Sequence, residues 1–83
     1  MHSLLYIDYL RRQLFLKLGT NIHDFFCPLS HNGNDIYKVS VNSNKMVKVH
    51  NGESWSVCND ESTLELIYKA VLRDAAPELK QTA

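Results

Sequence analysis

Residues 35–58 read DIYKVSVNSNKMVKVHNGESWSVC, and apolar side chains alternate with polar ones along most of this segment. A period of two is typical of a strand that buries one face and exposes the other. The turn-forming residues Asn42-Ser43-Asn44 and Asn51-Gly52 divide the segment into three such runs. The sequence therefore predicts a three-stranded antiparallel meander.

The same alternation predicts the loop between the second and third strands. A two-residue loop would place Trp55 on the face of Lys48 and His50, whereas a three-residue loop at 50–52, with a left-handed glycine, would place it with the valines. We therefore expect the three-residue loop. The predicted inner face is Tyr37, Val39, Val41, Val47, Val49, Trp55 and Val57. The predicted outer face is Lys38, Ser40, Met46, Lys48, His50, Ser54, Ser56 and Cys58.

Residues 3–18 have the period of an amphipathic helix that ends before Gly19. Its main apolar stripe is Ile7, Leu10, Leu14 and Leu18. A second row of Leu5, Tyr9 and Leu16 lies roughly opposite, and Leu4 and Phe15 form a third patch near the main stripe. More of this helix is apolar than one small sheet can cover.

The second predicted helix follows the sheet. Ser62 and Glu65 have the spacing of a capping box at its start, and Pro77 is expected to end it. Its apolar stripe is Leu64, Ile67, Val71 and Ala75, with Tyr68 beside them. Between the first helix and the sheet, residues 20–34 show no sustained period and predict a packed connector with one helical turn around 22–26.

These elements predict an α+β fold of order α-β-β-β-α, with both helices packed on one face of the sheet. The expected organisation is a single domain over residues 1–77 and a frayed tail over 78–83. A chain of 83 residues with nine basic and nine acidic side chains has no room for a large enzyme cleft and lacks the positive charge typical of nucleic-acid binding. No apolar run approaches the ~20 residues that span a bilayer, so we expect a cytoplasmic protein with no membrane contact.

Histidine and cysteine are the residues that suit metal or thiol chemistry. His23, Cys27 and His31 recur every four residues, and Cys58 or His50 could supply a fourth zinc ligand. Structural zinc sites usually carry closely paired ligands at both ends, and no second pair exists here. We therefore expect free, buried cysteines, no catalytic residue, no metal, no cofactor and no small-molecule substrate, and we leave open whether these residues ever bind zinc.

The predicted order of elements resembles the double-stranded RNA-binding domain over most of the chain. That family contacts RNA phosphates with lysines at the start of its second helix, and the matching positions here are Asn59, Asp60, Glu61, Ser62 and Thr63. Acidic residues there would repel phosphate. Lys38, Lys45 and Lys48, on or beside the outer sheet face, form the remaining basic patch. Nucleic-acid binding is therefore the alternative function.

A protein partner accounts better for the surplus apolar surface of the first helix. Leu5, Tyr9, Leu16 and Arg12 have the composition of an interface centre, unless the connector's Phe25, Phe26 and Leu29 fold over this row. We expect a non-catalytic interaction module, either a homodimer or a binder of another protein, in the format of small phage or mobile-element inhibitors and adaptors that bind a host protein complex. The expected partner-binding residues are Leu5, Tyr9, Arg12, Leu16, Lys38 and Lys48.

Overall fold

The computed structural model describes residues 3–31 and 34–82, with side chains at positions 3, 26, 27, 31, 34 and 74–82 left out of the description. Within these ranges the elements are α1 (Ser3–Leu18), β1 (Ile22–His31), β2 (Asn34–Val41), β3 (Val47–His50), β4 (Trp55–Val57) and α2 (Glu61–Thr82). The predicted α+β class is confirmed. The order is α-β-β-β-β-α, one strand more than predicted.

The four strands form one antiparallel sheet in the order β1-β2-β3-β4, and both helices pack on the same face of it. Cross-strand pairs Val39–Val49 and Val41–Val47 bring the valines of β2 and β3 together beneath the helices. Leu10 and Leu14 of α1 meet the same cluster from above. The remaining buried members are Cys58, Leu64, Ile67 and Val71.

The additional strand is β1, and the prediction of a connector with a helical turn at 22–26 is wrong. Asp24 pairs with Lys38 and Leu29 pairs with Ile36, so residues 25–28 of β1 bulge opposite Tyr37 alone. A bulge of this size destroys the period of two, and Pro28 fits inside it because proline has no amide hydrogen to donate to the ladder. Phe25 and Leu29 still pack against the core.

The prediction that Trp55 lies in the core is also wrong. His50 pairs with Trp55 and Lys48 with Val57, which leaves a four-residue loop at 51–54. Asn51 Oδ1 accepts hydrogen bonds from the amides of Glu53 and Ser54, at 2.9 and 3.1 Å, and Gly52 has the expected positive φ of 99°. An even-numbered loop places Trp55 and Val57 on the face of Lys48, where they are 39% and 48% exposed.

Cys58 takes the inner position that the sequence assigned to Trp55. Its amide donates to the Val47 carbonyl at 2.8 Å, and the residue is 7% exposed, so its predicted place on the outer face is wrong. Ser56 pairs with Val49 on the inner side, and Met46 and Ser54 lie in loops. Tyr37 is 39% exposed at the end of the sheet, against Gly52 of the β3–β4 loop.

Helix α2 differs from its prediction at both ends. Asp60 caps it, because Asp60 Oδ2 accepts from the Thr63 amide at 3.0 Å and from the Thr63 hydroxyl at 2.8 Å, so the predicted capping box at Ser62 is wrong. The helix continues through Pro77 to Thr82, beyond its predicted end. A proline removes one helical hydrogen bond and does not by itself end a helix. The Ala75 side chain lies outside the described residues.

Candidate interaction surfaces

The first candidate surface is the helix row, which we define as Leu5, Tyr9, Arg12 and Leu16 of α1. Leu5 is 84% exposed, Leu16 73% and Tyr9 49%. Leu10 and Leu14 lie on the opposite side of α1 and pack in the core, as the main apolar stripe predicts. Leu4, predicted near that stripe, is instead 79% exposed, whereas Phe15 packs partly on the core. Among the described residues, β1 does not cover the row.

Two contacts hold α1 in the rotation that exposes this row. On one flank, the Tyr6 hydroxyl donates to Glu65 Oε2 of α2 at 2.6 Å. The hydrogen bond to Glu65, together with burial and the charge of that carboxylate, raises the pKa of Tyr6 to about 12. The Tyr6 ring also stacks on Tyr9, with centroids 6.2 Å apart. The Tyr9 ring therefore packs on a tyrosine that is itself hydrogen-bonded to α2.

On the other flank, Arg11 fastens α1 to the β2–β3 loop. Its Nε donates to the Lys45 carbonyl at 2.8 Å, and the guanidinium also contacts Asp8 and the Met46 sulfur. The loop is itself ordered by Asn42, whose Oδ1 accepts the amides of residues 44 and 46. Lys45 has a φ of 65°, which is unusual for a residue with a Cβ. These bonds keep the loop in that conformation.

A hollow of about 190 Å³ lies between α1 and this loop, lined by Asp8, Arg11, Arg12, Asn44 and Lys45. Three of these side chains are cationic and one is anionic, an excess of two positive charges in a protein whose total is zero. The Lys45 ammonium sits 5.1 Å from the centroid of the Phe15 ring, a cation–π distance. Because Arg12 belongs to both features, the hollow borders the helix row.

The second candidate surface is the outer sheet face, on the side of the sheet away from the helices. Strand pairing arranges it in two rows that cross all four strands. One row is Asp24, Lys38, His50 and Trp55, and the other is Ile22, Ser40, Lys48 and Val57. Trp55 packs edge-on against His50 at 5.0 Å, and Lys38 Nζ is 3.9 Å from Asp24 Oδ1. Sequence reasoning missed Trp55 as part of this surface.

The six predicted partner-binding residues therefore form two surfaces. Leu5, Tyr9, Arg12 and Leu16 lie together on α1, whereas Lys38 and Lys48 lie beyond the sheet. A single small ligand cannot contact both. The hollow beside Arg12 adds Asp8, Arg11, Asn44 and Lys45, of which the sequence marked only Lys45, as part of a basic patch. Its members come from two segments more than thirty residues apart.

The candidate zinc ligands do not converge where their side chains are described. His23 pairs with Val39 on edge strand β1, and Cys58 continues from β4 at the other edge. Three strand spacings of ~4.8 Å separate them by roughly 14 Å, far more than two ligands of one ion. The side chains of Cys27 and His31 lie outside the described ones. Burial raises the pKa of the Cys58 thiol, and the hydrogen bond from the Asp60 backbone lowers it by a smaller amount.

The start of α2 carries Asp60 and Glu61, and Asp60 is occupied as the helix cap. The structure thus departs from the RNA-binding resemblance twice, in this acidic segment and in the fourth strand. Within the described residues, neither helix has the length and apolar character needed to cross a membrane. No family model, curated protein or solved structure matches this chain.

Proposed function

We propose that this protein is a non-catalytic module that binds another protein through the helix row. The observation that supports it is the exposure of Leu5 and Leu16, at 84% and 73%, on a helix whose opposite side buries Leu10 and Leu14 in the core. Covering a leucine side chain contributes roughly 1.5–3 kcal/mol, so a partner that buries both gains appreciable affinity. Tyrosine and arginine, here Tyr9 and Arg12, are enriched among the residues that dominate binding energy.

The row is also held in place before any partner arrives. The Tyr6–Glu65 and Arg11–Lys45 hydrogen bonds join α1 to α2 and to the β2–β3 loop. Ordering a surface costs binding energy, and a surface that is already ordered avoids much of that cost. Within this proposal the protein acts in the cytoplasm, in the format of a small inhibitor or adaptor of a phage or mobile element. The free thiol of Cys58 fits a reducing compartment.

The test compares two leucine-to-glutamate variants on exposed helix positions. Leu16→Glu places a charge in the helix row, and Leu72→Glu makes the same change at a 41% exposed site on α2. Both variants are expected to fold, as circular dichroism and backbone amide NMR spectra would show. We expect Leu16→Glu to abolish self-association in analytical ultracentrifugation, or to lose a partner that wild type and Leu72→Glu both retain in quantitative affinity capture from the native source. Identical behaviour of the two variants would contradict the proposal.

A second candidate function, nucleic-acid binding, is favoured by the exposure of Trp55 on the outer sheet face. The indole lies across from His50, with Lys48 on the adjoining strand and Lys38 in the same row. Aromatic side chains beside cations stack single-stranded bases without sequence preference. The Asp24 carboxylate near Lys38 and the neutral total charge act against phosphate binding.

Trp55 fluorescence provides the test of this second candidate. Titration with a single-stranded oligonucleotide at ~0.15 M salt would quench the indole if bases stack on it, and Lys48→Gln would weaken the binding. A duplex RNA titration tests the resemblance to the RNA-binding domain in the same assay. Unchanged fluorescence with both nucleic acids would exclude the outer sheet face as their site.

A further inference from the structure

We infer that the cationic hollow beside the helix row binds an acidic side chain of the protein partner. The inference rests on the proposed function and adds the chemistry of the partner to it. The hollow is lined by Arg11, Arg12 and Lys45 against the single carboxylate of Asp8. Opposite charges across an interface steer association and set its register, so a carboxylate is the group that complements this surface.

Among the described residues, the positive charges of the hollow are only partly balanced by a carboxylate. Asp8 contacts Arg11 at 3.3 Å, and its side chain is 53% exposed. No carboxylate lies within ion-pair distance of Arg12 or Lys45 among the described residues. Arg11 uses three of its five N–H donors in its contacts with Lys45, Asp8 and Met46. An incoming carboxylate therefore finds donors on Arg11, Arg12 and Lys45, and the Asn44 amide lies beside them.

The hollow is preformed on both of its sides. The Arg11 guanidinium is fixed by the Lys45 carbonyl, and the loop that carries Asn44 and Lys45 is tied internally to Asn42. Lys45 keeps a φ of 65° in this loop. Uncommon backbone conformations persist where the surrounding contacts enforce them, and they are frequent at binding sites. The donors thus need little rearrangement to receive a ligand.

The position of Arg12 joins the hollow to the helix row. Arg12 follows Tyr9 by three residues and precedes Leu16 by four, so all three lie on one side of α1. A partner segment that covers Leu5, Tyr9 and Leu16 with apolar side chains carries its acidic residue over Arg12 into the hollow. The expected partner is accordingly an amphipathic polypeptide segment with one Asp or Glu at a set distance from its apolar anchors.

The experiment selects binding peptides from a random-sequence library displayed on phage, with the whole protein as bait. We expect enriched peptides to combine apolar residues with an Asp or Glu at constant spacing. In fluorescence polarisation, an enriched peptide should lose about tenfold or more in affinity when Arg12→Gln and Lys45→Gln are combined. Replacing the peptide's acidic residue by its amide should produce a similar loss. Lys17→Gln, an exposed charge on α1 outside the hollow, should change affinity by no more than about twofold.

The outcomes separate this inference from the proposed function. Peptides that lose binding with Leu16→Glu, but lack acidic residues and bind the Arg12→Gln/Lys45→Gln variant like wild type, would overturn the inference and leave the helix row as a docking surface. Peptides whose binding is unaffected by Leu16→Glu would overturn both. Loss of affinity with Lys17→Gln equal to that of the double variant would show general attraction to positive charge and would also overturn the hollow as a site.

Discussion

Replacing Arg11 by glutamine should destabilise the protein far more than the same replacement at Arg12. The two arginines are neighbours on α1, and either change removes one positive charge with little effect on helix propensity. Arg11 is 22% exposed in its side chain and bonds the Lys45 carbonyl, whereas Arg12 is exposed and makes no hydrogen bond or ion pair among the described residues. A difference in stability between the two variants therefore measures the contribution of the contacts between Arg11 and the β2–β3 loop.

The magnitude follows from the contacts that Arg11 makes. A hydrogen bond from a charged group contributes ~1.5–3 kcal/mol, with the lower half expected for a part-buried site such as this one. The exposed pair with Asp8 adds about 0.3–0.5 kcal/mol at most. We therefore expect Arg11→Gln to lower the free energy of unfolding by roughly 2 kcal/mol. Arg12→Gln should change it by less than about 0.5 kcal/mol.

Urea denaturation followed by circular dichroism measures both values. For a domain of this size, the Arg11→Gln loss corresponds to a fall in Tm of roughly 8–16 °C. Arg11→Lys retains the charge near Asp8 but not the Nε donor, so its stability should lie between those of the glutamine variant and the wild type. Equal free energies of unfolding for the Arg11→Gln and Arg12→Gln variants would refute the idea that this hydrogen bond holds α1 to the loop.

Three further predictions follow from the corrected fold. Asp60→Ala should cost about 1 kcal/mol in urea denaturation because it removes the cap of α2, and Ser62→Ala should be nearly neutral; the reverse order would restore the Ser62 cap. Iodide should quench the fluorescence of the half-exposed Trp55 in the native state, and a shielded indole would mean that the β3–β4 register is wrong. Trp55→Ala should lower the free energy of unfolding by less than the ~2–5 kcal/mol expected for Leu14→Ala in the core. The folded-state pKa of Tyr6, about 12, exceeds its ordinary value of 10.0, so its contribution to stability is complete below pH 10.0 and is lost as pH rises towards 12. Absorbance titration should show one late-ionising tyrosine that Tyr6→Phe removes.

In the β3–β4 hairpin, the alternating pattern predicted the position of the turn correctly and the strand register incorrectly. The apolar residues of β4 predicted an odd-numbered loop that would bury Trp55, and the turn residues Asn51 and Gly52 were identified correctly. An alternating pattern takes no account of the Asn51 side chain. Its Oδ1 accepts hydrogen bonds from two backbone amides and so favours a loop of four residues. It also treated Cys58 as an outer residue. Cys58 lies opposite Val47, where the predicted loop would have placed Trp55, so the observed pairing is shifted by three residues. A shift by an odd number of residues exchanges the two faces of a strand.

Strand β1 was missed because its bulge hides the period on which prediction depends. Residues 25–28 stand opposite one residue of β2, so alternation on the two sides of the bulge is out of phase. One signal could have revealed the hairpin. Asn32-Gly33 lies between His31 and Asn34, which pair with each other, and Asn-Gly is the strongest short-range indication of a two-residue turn.

One part of the candidate site could be predicted from the sequence and the other part could not. The helix row was predictable because Leu5, Tyr9 and Leu16 follow helical spacing opposite Leu10 and Leu14, and all three are exposed. The cationic hollow was not, because Arg11 and Arg12 meet Asn44 and Lys45 only after α1 packs across the β2–β3 loop. Charge counts over the whole chain average to zero and conceal a local excess of two.

The amino-acid sequence alone determined the α+β class, both helices, the shared inner face of the valines of β2 and β3, and the surplus apolar side of α1. Each of these depends on the periodicity of neighbouring residues, which the backbone geometry of helices and strands imposes directly. Only the tertiary structure decided which face holds Trp55, how β1 joins the sheet, and where Arg11 and Lys45 meet. Those features depend on strand register and on contacts between segments that are distant in the sequence. Local patterns fit burial of Trp55 and burial of Cys58 equally well, and only the packing of the whole chain decides between them.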